Sequence, residues 1–148
     1  MKTLKLTLAL LTLLTVSGCA TTPMTTATED TEAKQFTPPK GKANIYVYRG
    51  GGVGAGILFP LTLDGRKVGA MAPETFACLT VSPGNHTVAL DSTENAQQQV
   101  VDAKAGASYF FRVESTIGLA MARVKISAAD EATGKQNVSK YHRSATIN

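Results

Sequence analysis

Apolar and polar positions alternate in short runs from residue 43 onwards, and glycine, proline or asparagine separates one run from the next. The first run, Ala43-Asn44-Ile45-Tyr46-Val47-Tyr48-Arg49, is rich in β-branched and aromatic residues, which is typical of a strand. Similar runs predict further strands over Ile57–Leu63, Lys67–Met71, Thr75–Val81, His86–Asp91, Gln97–Ala103, Tyr109–Ser115 and Ile117–Ser127. Short, regularly spaced strands indicate a mostly β fold, with a single small β-sandwich-like domain over residues 43–148.

Turn signals join consecutive predicted strands into hairpins. Asp64-Gly65 is a strong hairpin signal between the second strand and the third. Ser82-Pro83-Gly84-Asn85 predicts a second hairpin around its turn, and Lys104-Ala105-Gly106 separates the two strands of a third pair. The last predicted strand is broken or bent near Gly118.

The C-terminal segment favours helix over strand. Ser127-Ala128-Ala129-Asp130 resembles a capping arrangement, and good helix formers follow it. We expect a short helix, interrupted at Gly134, that ends by Arg143 and lies on the sheet through Val138 and Tyr141.

The N-terminal segment has a different pattern. Lys2 and Lys5 precede an apolar run of leucine and alanine and then small residues, which is the layout of a secretory signal peptide. The run is far shorter than the roughly 20 residues that a helix needs to cross a bilayer. Residues 19–42 are rich in threonine and proline and poor in large apolar residues, which predicts a disordered tether.

Val16-Ser17-Gly18-Cys19 resembles the lipobox of bacterial lipoproteins, with Val16 at a position where that pattern usually has leucine. The resemblance implies cleavage after residue 18, so that residues 1–18 are the signal peptide. It also implies three acyl chains, palmitate among them, on Cys19, which is enough for stable anchoring. Ala20 follows where an aspartate would imply retention at the inner membrane, so the implied location is the outer membrane, facing the periplasm. An ordinary signal peptide with a chance cysteine is the alternative.

The charge of the chain argues against one class of partner. The formal net charge is +4, and loss of Lys2 and Lys5 with the signal peptide lowers it to about +2. This small and evenly spread charge does not indicate binding to nucleic acid.

Cysteine and histidine are too few and too scattered for a metal site. Cys78 lies in the apolar stretch Phe76-Ala77-Cys78-Leu79 and is expected to be a buried, inert thiol. His86 follows a turn, where a polar surface residue is routine, and with His142 it forms no recognised ligand spacing. We therefore expect no metal and no other cofactor.

Catalytic patterns are equally weak. The glycine cluster of residues 50–56 matches neither a dinucleotide fingerprint nor a phosphate loop, which leaves a strand connection or, less directly, a ligand-binding loop. No GxSxG signature marks a nucleophile. The neighbouring carboxylates Glu29 with Asp30, and Asp130 with Glu131, fit solvated charge in the tether and on a helix turn. These patterns predict that the protein is not an enzyme, with a small periplasmic enzyme as the remaining alternative.

Tyrosine and arginine could form a binding face on neighbouring strands. Tyr46, Tyr48, Arg49 and Arg112 are the candidates, because both residue types are common in binding patches. The alternative is that these side chains simply cover the sheet, as alternation along a strand predicts.

The order of these motifs resembles a family of small bacterial lipoproteins called domain of unknown function 2846. The resemblance rests on Ile45-Tyr46-Val47-Tyr48-Arg49, Leu63-Asp64-Gly65-Arg66-Lys67-Val68-Gly69, Ser82-Pro83-Gly84-Asn85-His86-Thr87-Val88 and Tyr109-Phe110-Phe111-Arg112-Val113. A looser similarity to PEGA-type surface modules covers Leu61 to Leu90 and implies a β-sandwich. Neither resemblance implies a catalytic residue.

These observations predict a lipid-anchored envelope protein that acts as a structural or protein-interaction module. A peptidoglycan or saccharide binding module is the first alternative. The expected partners are the membrane, through the lipid on Cys19, and an envelope protein or cell-wall glycan.

Overall fold

The computed structural model describes residues 21–147. The predicted signal peptide and Cys19 lie outside the described residues. In chain order the elements are α1 Ala27–Ala33, β1 Ala43–Arg49, β2 Phe59–Leu63, β3 Arg66–Met71, β4 Thr75–Val81, β5 Gly84–Asp91, β6 Ala96–Ala103, β7 Ser108–Ile117, β8 Ala122–Ala129, α2 Glu131–Val138 and β9 His142–Arg143.

The strands form two sheets that pack face to face, which confirms the predicted mostly β, sandwich-like fold. One sheet has the order β8-β7-β1-β4-β9 and the other has the order β3-β2-β5-β6. In the first sheet β1 runs parallel to β7 and β4 runs parallel to β9. Aliphatic side chains from both inner faces, with Phe59 and Phe111, form the core between the sheets.

The two helices form a third layer on the outer face of the five-stranded sheet. This second core consists of Ala33, Phe36, Tyr46, Tyr48, Phe76, Cys78, Phe110, Ala129, Val138 and Tyr141. Because β1 has a core on each side, every one of its residues is buried. Ile45 and Val47 face the core between the sheets, whereas Tyr46 and Tyr48 face the helices.

Only the first of the three predicted hairpins is correct. β2 and β3 pair across Asp64-Gly65 as expected. The segment Ser82-Pro83 carries the chain from β4 in one sheet to β5 in the other, and the chain likewise changes sheets between β6 and β7. Instead β5 pairs with β6 and β7 pairs with β8. A turn signal marks a reversal of direction, but it does not determine whether the next strand joins the same sheet.

The prediction of a disordered tether over residues 19–42 is wrong for residues 21–42. Thr26 and Glu29 form a capping box at the start of α1, and Ala33 is buried at its end. Met24 bridges to Ser144, so this segment lies along the strand edge of the domain. Composition misleads here because the segment does not have to form a core of its own. It only has to cover an apolar sheet face that already exists.

Helix α2 lies on the sheet as predicted, through Val138 and Tyr141. Asp130 caps it by accepting a hydrogen bond from the Thr133 N–H at 2.9 Å. Gly134 does not interrupt the helix, contrary to the prediction. A Cβ atom at Gly134 would lie 2.2 Å from Cγ of Phe110, so the missing side chain lets the helix approach the sheet closely.

The two sheets share two ends, which the strand registers define. The tip end holds the connections at residues 50–58, 72–74, 92–95 and 118–121. The turn end holds the connections at residues 64–65, 82–83 and 104–107.

Candidate functional site

Tyr46 and Arg49, two of the four predicted binding residues, are buried inside the protein. Tyr46 is fully buried, and its hydroxyl donates to the carbonyl oxygen of Ala33 at 2.8 Å. Burial raises the pKa of this hydroxyl. Arg49 is only 2% exposed. Neither side chain belongs to a surface face, in agreement with the alternative that residues of this pattern cover the sheet.

Arg49 positions the glycine loop of residues 50–56. Its guanidinium donates to the carbonyl oxygens of Ile57 at 2.5 Å, Met71 at 2.9 Å and Gly54 at 2.8 Å. It also lies over the ring of Phe59, 4.4 Å from the centroid. Burial lowers the pKa of Arg49, but the carbonyl dipoles and the ring take the place of a carboxylate partner. The predicted strand connection is therefore a loop held by a buried cation.

The loop packs against the β7–β8 hairpin. Gly54 has φ +74°, and a Cβ atom there would lie 2.4 Å from Oγ of Ser115. Glycine is required at this position for both its backbone conformation and the close approach.

The other two predicted binding residues, Tyr48 and Arg112, are neighbours across the parallel pair of β1 and β7. They line one cavity of about 270 Å³ together with Gly50, Gly51, Val53, Val113, Glu114, Ser115, Asn137 and Tyr141. Within residues 21–147, the buried hydroxyls of Tyr48 and Ser115 have no hydrogen-bond partner. Burial raises the pKa of the Tyr48 hydroxyl. The guanidinium of Arg112 is 3.1 Å from a carboxylate oxygen of Glu114, which offsets its charge.

The last residue of β7 and the connection to β8 form the most exposed apolar segment among the described residues. We call Ile117-Gly118-Leu119-Ala120-Met121 the apolar tip. Leu119 is fully exposed, Ile117 is 83% exposed and Met121 is 47% exposed. Alternation along the chain predicted a bent strand here and not a tip, although a run with no charged residue between two strands could have indicated it.

A single carboxylate holds the apolar tip in place. The two oxygens of Glu94 accept hydrogen bonds from the backbone N–H groups of Leu119 at 3.0 Å, Ala120 at 2.6 Å and Met121 at 2.7 Å. The hydrogen bond from Ala120 and then that from Met121 lower the pKa of Glu94. Gly118 N–H donates to the carbonyl oxygen of Met121, which closes the turn. The tip is thus a preorganised protrusion.

At the turn end, His86 connects two turns. Its Nδ1 is 2.7 Å from Oδ2 of Asp64, and its Nε2 is 2.8 Å from the carbonyl oxygen of Ser82. The hydrogen bond with Asp64 raises the pKa of His86. His142 is exposed on β9. The described part of the chain has no group of three potential metal ligands.

The remaining candidate side chains have structural partners. Cys78 is free and buried as predicted, and burial raises the pKa of its thiol. Glu29 and Asp30 lie in α1 and not in a disordered tether, and the Glu29 side chain is exposed as the prediction of solvated charge requires. Glu29 is part of the capping box, and Asp30 accepts from the backbone N–H of Arg143 at 2.7 Å and from Lys34 at 2.6 Å. Asp130 caps α2 on the surface.

A family profile with the description "Protein of unknown function (DUF2846)" matches residues 39–126, from just before β1 into β8. The chain belongs to this family. A relative from Haemophilus influenzae, described as "Uncharacterized protein", is 30% identical over 130 residues, which cover 87% of this chain and 77% of the relative. No solved structure matches the chain. The PEGA-type similarity stays a sequence resemblance. In residues 21–147 of this DUF2846 member, no helix is long and apolar enough to cross a membrane.

Proposed function

We propose that this protein is a lipid-anchored envelope protein, attached through Cys19 to the outer membrane on its periplasmic side, that acts as a structural or protein-interaction module. The observation that carries the proposal is the integration of the N-terminal segment into the domain. Thr25 N–H donates to the carbonyl oxygen of Arg143 at 3.0 Å, and Ala145 N–H donates to that of Pro23 at 2.7 Å. Thr22 is buried.

This integration determines what an anchor at Cys19 would do. Only Cys19 and Ala20 stand between the lipid and Thr21, and two extended residues span about 7 Å. An acylated Cys19 would therefore hold the domain directly against the bilayer surface. Partners that act on the protein would have to meet it at that surface.

The proposal of a non-enzymatic module is supported by the engagement of the reactive side chains. Cys78 is buried, and both ring nitrogens of His86 are within hydrogen-bond distance of a partner. The features that remain available for binding are exposed surfaces, above all the apolar tip.

The proposed acylation of Cys19 is tested by mass spectrometry of the protein purified from membranes. We expect a chain that begins at Cys19 and carries three acyl chains, whereas Cys19→Ser should carry none. Cys78→Ser is the matched control, because it removes the other cysteine and should leave both acylation and membrane attachment unchanged. An unacylated wild-type chain, or one that begins elsewhere, would refute the anchor.

The module is tested by crosslinking in intact cells, followed by purification of the tagged protein and identification of captured proteins and glycans. One reproducible protein partner supports the proposal. Cell-wall glycan without protein would favour the second candidate, a saccharide-binding module. That candidate rests on the cavity beside Tyr48 and Arg112, where two buried hydroxyls have no partner within residues 21–147.

A further inference from the structure

We propose that the cavity beside Tyr48 and Arg112 binds one neutral sugar unit of an envelope glycan. The inference rests on the saccharide-binding candidate of the proposed function and narrows it to one class of ligand at one place. It requires neither a lipid on Cys19 nor a protein partner.

Two buried hydroxyl groups mark the cavity as incomplete. Tyr48 is only 2% exposed, and within residues 21–147 neither its hydroxyl nor the buried hydroxyl of Ser115 has a hydrogen-bond partner. Both residues line the same cavity. A buried polar group without a partner costs folding free energy, and folded proteins contain few of them. A ligand that supplies both partners accounts for the two hydroxyls together.

The hydroxyl end of Tyr48 lies beside other groups that line the cavity. The guanidinium of Arg112 and the hydroxyl of Tyr141 both act on the pKa of the Tyr48 hydroxyl, so both are near it. The side chain of Asn137 is also near, but it forms no hydrogen bond with Tyr48, and its Nδ2 donates to the carbonyl oxygen of Thr133 at 2.9 Å. The hydroxyl is therefore at the cavity and not in the apolar core.

The charges around the cavity offset one another. The guanidinium of Arg112 is 3.1 Å from the carboxylate of Glu114, and the ammonium of Lys125 is 3.9 Å from the same carboxylate. The charged side chains that contact or approach the lining residues are Arg49, Arg112 and Lys125 with Glu74, Glu114 and Asp130. With three charges of each sign, the cavity gives no net attraction to an anion or to a cation.

The uncharged lining groups can both donate and accept hydrogen bonds. The hydroxyls of Tyr48, Ser115 and Tyr141 have this property, and the amide of Asn137 offers donors and an acceptor. Each hydroxyl of a sugar ring likewise donates one hydrogen bond and accepts others. A neutral sugar therefore matches this lining without bringing a charge.

The mouth and the size of the cavity fit a single ring. Arg112 and Glu114 place a donor beside an acceptor, which suits two neighbouring hydroxyls of one ring. The cavity volume of about 270 Å³ is just below the roughly 300 Å³ at which sites for drug-sized ligands begin. One sugar unit is the part of a glycan that matches this volume.

Gly50 keeps one wall of the cavity open. It is not among the described glycines with positive φ, so its backbone conformation does not call for glycine. A Cβ atom at Gly50 would lie 3.1 Å from Oη of Tyr141, which also lines the cavity. Gly50→Ala should therefore narrow the cavity without straining the backbone.

Binding is measured by saturation-transfer NMR on the protein purified from membranes, in a detergent without a sugar headgroup. The probes are glucose and N-acetylglucosamine, with glucuronate and glucosamine as charged comparisons. We expect saturable binding of at least one neutral probe, and weaker binding of its charged counterpart. Gly50→Ala should weaken the dissociation constant by about tenfold or more, since ligand atoms lose their place. Absence of binding by both neutral probes, or tighter binding of a charged one, would overturn the proposal.

Tyr48→Phe distinguishes a ligand site from a tyrosine that is simply buried. Removing a hydroxyl that has no partner should raise the urea midpoint of the free protein and weaken sugar binding by about tenfold or more. Tyr46→Phe is the matched control on the same strand, because the Tyr46 hydroxyl donates to the carbonyl oxygen of Ala33 at 2.8 Å. It should lower the midpoint and leave sugar binding unchanged. A lower midpoint for Tyr48→Phe would mean that water or Asn137 already pairs its hydroxyl, which overturns the inference.

Failure of this inference differs from failure of the proposed function. One reproducible protein partner together with no sugar binding overturns the sugar site and leaves the interaction module standing. Sugar binding that neither Tyr48→Phe nor Gly50→Ala weakens overturns the assignment to this cavity, while the saccharide candidate stands. An unacylated wild-type chain refutes the anchor, and the sugar titration still decides the cavity.

Discussion

The tip end and the turn end of this domain use charged side chains in opposite ways. At the tip end, Arg49 and Glu94 direct their charges inward onto backbone carbonyl and N–H groups, and apolar side chains point outward. At the turn end, Asp64 and His86 form a pair near the surface that joins polar turns. At the turn end the charged pair itself therefore lies beside solvent. At the tip end the N–H groups of residues 118–121 are paired before anything binds.

The largest expected effect comes from removing the cation that organises the tip end. Arg49→Met should lower the free energy of unfolding by about 3 kcal/mol, because the buried carbonyl oxygen of Met71 and the partly buried ones of Gly54 and Ile57 lose their donor. Arg112→Met is the control, since its exposed guanidinium pairs only with a surface carboxylate, and it should cost less than about 0.5 kcal/mol. Urea unfolding measures both. Equal effects would mean that Arg49 does not organise the loop.

A matched pair of glycine substitutions compares the two connections directly. Gly118→Ala would place a Cβ atom 2.2 Å from the carbonyl oxygen of Met121 and 2.0 Å from a Glu94 oxygen, and should cost about 2–3 kcal/mol. Gly65→Ala has no atom within 4 Å but keeps a φ of +77°, so conformational strain of about 1 kcal/mol is expected. Thermal unfolding of both variants tests this order. If Gly65→Ala costs more stability than Gly118→Ala, the apolar tip can rearrange around a new side chain at little cost.

The smallest expected effects are responses to pH, and they should have opposite signs at the two ends. Hydrogen bonding to Asp64 raises the pKa of His86 above its ordinary value of 6.5. The stabilisation that the charged His86–Asp64 hydrogen bond gives to the fold is complete below pH 6.5. It is lost as the pH rises through the higher pKa of His86 in the folded protein. Hydrogen bonds from Ala120 and Met121 lower the pKa of Glu94 below 4.5, so its stabilisation is present above pH 4.5 and is lost as pH falls through the lower folded pKa.

Urea midpoints across pH measure these responses in the wild type, His86→Ala and Glu94→Gln. The difference in urea midpoint between the wild type and His86→Ala should shrink above neutral pH. The difference for Glu94→Gln should shrink in acid. A difference for either variant that does not change with pH would contradict the corresponding charged interaction.

Local sequence pattern determined the strands well but not their partners. β1 and β4 have the predicted bounds, because alternation and β-branched residues act within a strand. The pairing of β5 with β6 was missed, since the turn before β5 is compatible with either sheet. Helix α1 was missed because its stability comes from the face that it covers rather than from its own composition.

The candidate sites were only partly predictable for a similar reason. Of the four predicted binding residues, Tyr48 and Arg112 line one cavity, whereas Tyr46 and Arg49 are buried inside the protein. A tyrosine on β1 looks the same in the sequence whether a helix covers it or solvent does. The apolar tip depends on Glu94, 25 residues before Leu119, and no local pattern connects the two.

The pairing of Met24 with Ser144 joins a segment that is synthesised early to one that is synthesised last. The two ends of the described chain meet there, and the central strand β1 must wait for β7 before it gains its parallel neighbour. Contacts between such distant residues make for slow folding. A chain that is synthesised or translocated from its N-terminus keeps the edge beside Pro23 unpaired until its last residues arrive. During that interval the edge is open to chaperones, proteases or a second copy of the chain.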